Sequence, residues 1–138
     1  MHSQTYHILP KEAAAIRQEV FVEEQGFTEE FDQTDDIALH LLLWDGAQSV
    51  AVCRMFPSAE RGSWVIGRVA VRKPFRKQGL GAQVMRAAED AIRQAGGTRV
   101  ELAAQEQAAG FYRTLGYASL EERFLDEDCP HVWMRKEL

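Results

Sequence analysis

The chain has 138 residues, 46% of them hydrophobic, and a formal net charge of −5 at pH 7. This length and composition predict one globular domain, residues 1–138, with one sizeable core. The acidic balance argues against general nucleic-acid binding, which needs broad phosphate neutralisation. Apolar runs such as residues 37–44 are too short to span a bilayer, and the start shows no signal-peptide pattern, so we expect a cytoplasmic protein without a membrane partner.

The first half of the sequence predicts a strand, a helix and a hairpin. Residues 4–9 predict the strand, and residues 10–25 predict a helix that begins near Pro10 and ends at Gly26. Residues 38–44 and 49–56 predict two antiparallel strands joined by a turn at Asp45 and Gly46. Acidic residues gather in "EEQGFTEEFDQTDD" and "EERFLDEDC". We interpret these segments as solvated loops or, alternatively, as a surface that attracts a cationic substrate.

The second half predicts a strand, a helix and a parallel strand, followed by a short helix and two further strands. Residues 62–71 form the first of these strands, and apolar positions recur at helical spacing from Leu80 until Gly96. Residues 99–105 predict a buried strand, so the chain must cross over between two parallel strands. A short helix over residues 106–116 and strands over residues 117–124 and 131–138 complete a mixed α/β fold.

Cations and glycines cluster where the long helix begins. The start of a helix presents unpaired N–H groups, and Gly79 and Gly81 would let a phosphate approach the main chain closely. Arg76 and Lys77 add charged hydrogen-bond donors, so the segment predicts a pyrophosphate site. The alternative is a plain strand-to-helix turn with solvated cations. The segment contains neither the P-loop pattern nor the Rossmann glycine pattern.

Arg76-x-x-Gly79-x-Gly81, after the strand end Val69-Ala70-Val71, resembles the acyl-CoA-binding motif of the GNAT N-acetyltransferase superfamily. The segment "RVELAAQEQAAGFYRTLGY" resembles the second signature of that superfamily. The segments "IRQEVFVEEQGF" and "DEDCPHVWMRKEL" are similar to its small bacterial ElaA-like or YjcF-like subgroup. The resemblance implies a mostly antiparallel sheet, flanked by helices, whose central parallel strand pair splays apart.

The resemblance also implies a site for acetyl-CoA as acyl donor. The pantetheine arm would enter between the splayed strands and contact the main chain of Val69, Ala70 and Val71, with a main-chain N–H near Val71 stabilising the oxyanion. Gln105 would bond the cofactor or cap a helix, and Tyr112 would protonate the departing thiolate. The pyrophosphate would lie against Arg76 and the main-chain N–H groups of Lys77, Gln78, Gly79, Leu80, Gly81 and Ala82.

The general base is where the sequence departs from the family pattern. Several relatives carry a glutamate on the fourth strand, but this chain has Val65 near that place. Glu24, His40 and His131 are the alternatives, unless the amine arrives neutral and needs no base. The spacing of the histidines, cysteines and acids is not a zinc pattern, so we expect no metal. The two cysteines lie in no thiol-activating motif, so they are expected to be reduced and outside the chemistry.

Two hypotheses of different classes follow. The first is an enzyme that transfers acetyl directly, in a ternary complex, to a primary amine of a small molecule or protein. The second is an acyl-CoA-binding sensor or interaction module, whose support is the missing carboxylate at Val65. A weaker alternative is that the glycine turn binds another phosphate ligand. Relatives often form dimers, and exposed strand edges would permit a homodimer.

Overall fold

The computed structural model, which describes residues 1–138, contains one sheet of seven strands. The strands are β1 (His2–Tyr6), β2 (Leu39–Asp45), β3 (Gln48–Pro57), β4 (Ser63–Val71), β5 (Arg99–Gln105), β6 (Ala118–Asp126) and β7 (Cys129–Glu137). Their order across the sheet is β1-β2-β3-β4-β5-β7-β6. Neighbouring strands are antiparallel except β4 and β5. The predicted sheet with its central parallel pair is therefore confirmed.

Helices cover both faces of this sheet. Helix α1 (Lys11–Arg17) continues directly as a π-helix, Gln18–Glu24, while α2 (Leu80–Gln94) and α3 (Ala109–Thr114) are α-helices. Successive side chains of a strand point to opposite faces, so Leu42 packs with α1 whereas Leu41 packs with α2. The same alternation produces two apolar cores, one on each face. No helix combines the length and the apolar character that crossing a membrane requires.

The first strand and the first helix differ most clearly from their predicted form. The first strand covers His2–Tyr6 rather than residues 4–9, because its partner β2 begins at Leu39 and the pairing ends where Tyr6 meets His40. The predicted first helix changes to π geometry in its second half, where the amide of Gln25 donates to the carbonyl of Val20 over 3.1 Å. Such π-helical segments occur frequently at functional sites. Pairing and helix type both depend on packing partners that the local pattern does not contain.

The prediction that the acidic segment before β2 is a solvated loop is wrong for two of its residues. Glu30 and Asp35 are only 4% and 8% exposed. Arg17, which is fully buried, pairs with Glu30 at 2.9 Å and with Asp35 at 2.7 Å. Arg54 on β3 adds a bond to Asp35 at 3.0 Å. Buried carboxylates persist only with such partners, and here the partners come from other elements.

The parallel pair β4 and β5 separates soon after it begins. The two strands pair only where Ser63–Val65 meets Arg99–Glu101. Farther along, β4 contains a bulge in which Arg68 and Val69 lie opposite the single residue Cys53. Arg68 has a φ of 53°, an unfavourable value for a large side chain. Because a bulge bends and twists its strand, it contributes to the gap between β4 and β5.

Candidate active site

A cavity of about 200 Å³ lies in the gap between β4 and β5. Residues 66–69 of β4 and residues 102–105 of β5 form its walls. Phe21 and Phe27 line it from the α1 side of the sheet, whereas Ala108 and Tyr112 line it from the α3 side. The cavity therefore connects both faces of the sheet, so two ligands could enter from opposite sides and meet in the gap.

Tyr112 contributes a protonated hydroxyl to this cavity. Its side chain lines the cavity although the residue is only 9% exposed, and it packs edge-on against Tyr117 with 6.0 Å between ring centroids. Burial, with a smaller contribution from Cys53, raises the pKa of the Tyr112 phenol well above its usual range. The phenol therefore stays protonated at neutral pH. A protonated phenol can donate a hydrogen bond, and finally a proton, to a developing anion.

His131 contributes an imidazole ring to the same cavity. It lies on β7 opposite Gln105 of β5, lines the cavity and is 7% exposed. Its Nδ1 lies 2.8 Å from the carbonyl oxygen of Cys129. Since a carbonyl only accepts hydrogen bonds, Nδ1 is the donor, and in the neutral form of the ring Nε2 carries the lone pair. The ring is held by stacking on Phe124, with 5.3 Å between centroids.

His40 does not share this position. It is 1% exposed, lies outside the cavity lining, and its Nε2 is 3.0 Å from the carbonyl oxygen of Asp35. This contact ties β2 to the turn that contains Asp35. Of the two histidines that the sequence left as alternatives, only His131 lines the cavity.

Glu24 and Arg76 form a pair outside the cavity lining. The Nη1 and Nη2 atoms of Arg76 donate to the Glu24 carboxylate over 2.6 and 2.7 Å, and its Nε donates to the Val71 carbonyl over 2.8 Å. The hydrogen bonds from Arg76 lower the pKa of Glu24. A carboxylate stabilised in this way is a weaker base, so the pairing argues against Glu24 as the general base. The Arg76 guanidinium is thus already occupied by hydrogen bonds within the protein.

Gln105 takes part in a chain of amide hydrogen bonds at the cavity. Its Nε2 donates to Oε1 of Gln25 over 2.8 Å, while its own Oε1 accepts from Nε2 of Gln107 over 2.6 Å. Both Gln25 and Gln105 line the cavity. Gln105 thus connects the end of β5 to the residue that follows the π-helix. Of the β4 residues predicted to contact the cofactor, Val69 lines the cavity, whereas Ala70 and Val71 pair with β3 beyond it.

The predicted pyrophosphate segment leaves its amides unused. No side chain caps α2, and the first main-chain hydrogen bond of the helix runs from Gln83 to the Gly79 carbonyl. The six preceding amides are therefore free to bind an anion; they belong to Lys77, Gln78, Gly79, Leu80, Gly81 and Ala82. Gly79 has a φ of 76° and open space where a Cβ would stand. At Gly81 a Cβ would lie 3.1 Å from Phe111, so this glycine also makes room for a ring.

The cysteines and the acids offer no competing chemistry elsewhere. Burial raises the pKa of the Cys53 thiol to about 12, which disfavours the reactive thiolate. Cys129 is partly buried, and burial together with Asp126 raises its pKa as well. No group of three or more histidine, cysteine, aspartate or glutamate side chains is placed to hold a metal ion.

Four charged cavity residues were not assigned from the sequence: Glu29, Glu30, Arg68 and Asp126. Glu29 and Asp126 belong to the two acidic segments. One interpretation of these segments from the sequence is a surface that attracts a cationic substrate. Glu127 joins these segments, because its carboxylate accepts the Thr28 amide at 2.8 Å and the Glu29 amide at 3.0 Å. Arg68 carried no recognisable signal, since its position depends on the bulge in β4.

Comparison with known proteins identifies the family of this chain. Residues 8–138 match the family described as acetyltransferase (GNAT) domain. The uncharacterized N-acetyltransferase YjcF of Bacillus subtilis is 36% identical, covering 92% of this chain and 91% of its own length. Protein ElaA of Escherichia coli is 30% identical, covering 99% and 89%. The crystal structure of an acyl-CoA N-acyltransferase from Pseudomonas aeruginosa is 33% identical, covers 99% of both chains and superimposes with a TM-score of 0.83.

The family match spans nearly the whole chain, and its relatives include the two proteins of the subgroup that the sequence resembled. Family membership carries the reaction class and the donor, and the free amides ahead of α2 together with the gap beside β4 fit that donor. The chain belongs to the GNAT acetyltransferase family and is an acyltransferase with acetyl-CoA as its acyl donor.

Proposed function

We propose that this protein transfers acetyl directly to a primary amine in a ternary complex, with Tyr112 as the acid and His131 as the base. The observation that carries the proposal is the cavity in the gap, which is lined by a protonated phenol and an imidazole with a free Nε2. An acid and a base within one cavity are the two groups that amine acylation requires. The acceptor is an amine-bearing small molecule or protein.

Acetyl-CoA supplies a thioester carbonyl for attack by the amine. The amides from Lys77 to Ala82 bind its pyrophosphate, and β4 around Val69 lies beside its pantetheine arm. Arg76 acts mainly by holding this segment, because its guanidinium is bonded to Glu24 and Val71. Gln105 fixes the end of β5 through Gln25 and so maintains the width of the gap.

The two proton transfers are assigned to different sides of the cavity. Nε2 of His131 takes a proton from the amine as its nitrogen bonds to the carbonyl carbon. The Tyr112 hydroxyl gives a proton to the sulfur as the carbon–sulfur bond breaks. The apolar lining by Ile66, Leu102 and Ala104 disfavours charge and helps to keep the attacking amine neutral.

The alternative of a binding module loses its main support. It depended on the missing carboxylate at Val65, yet His131 lines the cavity and offers a base in its place. A sensor and an enzyme both bind acetyl-CoA, so cofactor binding alone does not distinguish them. Release of free thiol that depends on an added amine does.

The test combines calorimetry with a thiol assay on one preparation. Titration with acetyl-CoA and coenzyme A measures binding, and a panel of primary amines is then assayed for thiol release. We expect binding of both compounds and amine-dependent release, which Tyr112→Phe slows without weakening binding. Binding without release from any amine would favour the sensor, and absence of binding would refute the pyrophosphate site.

A further inference from the structure

We propose that the acceptor is a primary amine that carries a second cationic group, held by Glu29 and Asp126 at the mouth of the cavity. This inference rests on the proposed function, because it places the reacting amine beside His131 and Tyr112. It adds a recognition site at the other end of the same cavity. Diamines, polyamines and amino sugars with several amino groups have the required chemistry, whereas simple alkylamines lack it.

The charges that line the cavity do not cancel. The lining includes three carboxylates, Glu29, Glu30 and Asp126, and one guanidinium, Arg68. Glu30 is already paired, since its Oε2 lies 2.9 Å from both Arg68 and Arg17. The carboxylates of Glu29 and Asp126 take part in no ion pair of the protein. The cavity therefore presents two uncompensated carboxylates to a ligand.

These two carboxylates are brought to one place by specific contacts. Glu127, next to Asp126 in the tight β6–β7 turn, has a φ of 47°. Its carboxylate accepts bonds from the amide and the hydroxyl of Thr28, both at 2.8 Å, and from the amide of Glu29 at 3.0 Å. The backbone of Glu29 is thus fastened to the turn that carries Asp126. Two segments far apart in the sequence form one acidic rim.

The inner end of the cavity contains two polar groups that are available to a ligand. Tyr112 and His131 are each more than nine-tenths buried, and neither the Tyr112 hydroxyl nor Nε2 of His131 has a hydrogen-bond partner in the protein. Glu29 and Asp126, in contrast, are exposed. The cavity therefore has a buried reacting end and an exposed acidic end. The buried end favours the neutral form of an amine, whereas the acidic end stabilises the cationic form.

The effect on selectivity is modest because the rim is exposed. Each exposed ion pair contributes a factor of a few in affinity, so two together should favour a diamine over its monoamine by about tenfold at low salt. The preference should shrink as salt is added, since salt screens exposed charges. An acceptor of matched length but without the second ammonium is the proper comparison.

The experiment compares cadaverine with pentylamine and putrescine with butylamine. Two quantities are measured for each: kcat/KM for thiol release with acetyl-CoA, and binding to the complex of protein and coenzyme A by calorimetry. The test variant is Glu29→Gln/Asp126→Asn. The matched control is Glu121→Gln/Glu122→Gln, which changes the net charge equally at exposed β6 residues outside the cavity lining. We expect a diamine preference of about tenfold in the wild type and the control, falling to about onefold in the test variant.

The outcomes separate the two proposals. Three results would each overturn the acidic-rim inference. The first is equal kcat/KM and equal binding for diamine and monoamine in both pairs, and the second is that no probe binds. The third is a diamine preference that remains in the test variant. If diamines bind preferentially through Glu29 and Asp126 but no probe releases thiol, the rim is supported and the proposed transfer to these amines fails. Preferential binding together with preferential turnover supports both.

Discussion

The carboxylate of Glu24 accepts two hydrogen bonds from the guanidinium of Arg76, over 2.6 and 2.7 Å. Glu24 is the last residue of the π-helix, and Arg76 opens the segment that precedes α2. A third bond, from Nε of Arg76 to the Val71 carbonyl, fixes the guanidinium to the end of β4. The pair therefore connects the π-helix on the α1 side of the sheet to the predicted pyrophosphate segment. We interpret both residues as positioning residues.

Glu24→Gln should raise the KM for acetyl-CoA by roughly twofold to fivefold and leave kcat nearly unchanged, because it weakens a partly exposed ion pair that shapes the segment. The shape of the pH–rate profile should also stay the same. Steady-state kinetics across pH measures all three quantities, and Arg76→Lys, which also disrupts the paired contact, should have a similar effect. A large fall in kcat with loss of a pH limb would restore Glu24 as the base.

Tyr112→Phe should lower kcat by about a hundredfold, since general acid catalysis contributes at least that much. Binding of coenzyme A and the unfolding midpoint should change little, because the hydroxyl makes no hydrogen bond within the protein. Tyr117→Phe is the matched control. It removes a buried hydrogen bond of 2.7 Å to Glu89 and should cost about 1 kcal/mol of stability while sparing turnover. Unchanged kcat in Tyr112→Phe would make Tyr112 a packing residue.

His131→Gln should lower kcat/KM by about a hundredfold, because glutamine offers no base to accept the proton of the amine. Binding of coenzyme A should change little. His40→Gln provides the comparison, since it alters a buried histidine outside the cavity lining. That variant should lose stability but keep kcat/KM close to the wild-type value. An unchanged kcat/KM in His131→Gln would exclude His131 as the base.

Asp35→Asn should destabilise the fold most strongly at neutral pH. Burial opposes ionisation of Asp35, but hydrogen bonds from Arg17 and Arg54 outweigh it and lower its pKa to about 2. Because the folded pKa lies below the unfolded value, the charged carboxylate stabilises the fold above about pH 4, and this contribution is lost as pH falls toward about 2. The shift corresponds to on the order of 2 kcal/mol.

Urea unfolding of the wild type and Asp35→Asn at several pH values measures this difference. The gap between the two free energies of unfolding should narrow as the pH falls. Burial raises the pKa of neighbouring Glu30. Ionisation of Glu30 therefore lowers the stability of the fold as pH rises, which is opposite to the effect of Asp35. Taking the difference between wild type and variant at each pH largely removes that contribution. A gap that is independent of pH would contradict the assignment.

The order of the elements and the parallel crossover could be predicted from the sequence alone, and the sequence also predicts where the pyrophosphate segment lies. Each of these follows from local information. Helical and strand periodicity is set within a few residues, and Gly79 marks a backbone conformation that other residues adopt with difficulty. The positions of Tyr112 and Gln105 came from family motifs that are equally local.

Which charged and titratable groups meet depends on tertiary packing. Packing places His131 in the cavity lining and His40 outside it, buries Glu30 and Asp35 against Arg17, and brings Glu29 next to the turn of Asp126. These contacts join residues far apart in the chain. Their burial depends on strand order and on the bulge at Arg68, which no local pattern encodes. The chemistry of a carboxylate or an imidazole is set by its neighbours, and those neighbours are fixed by packing.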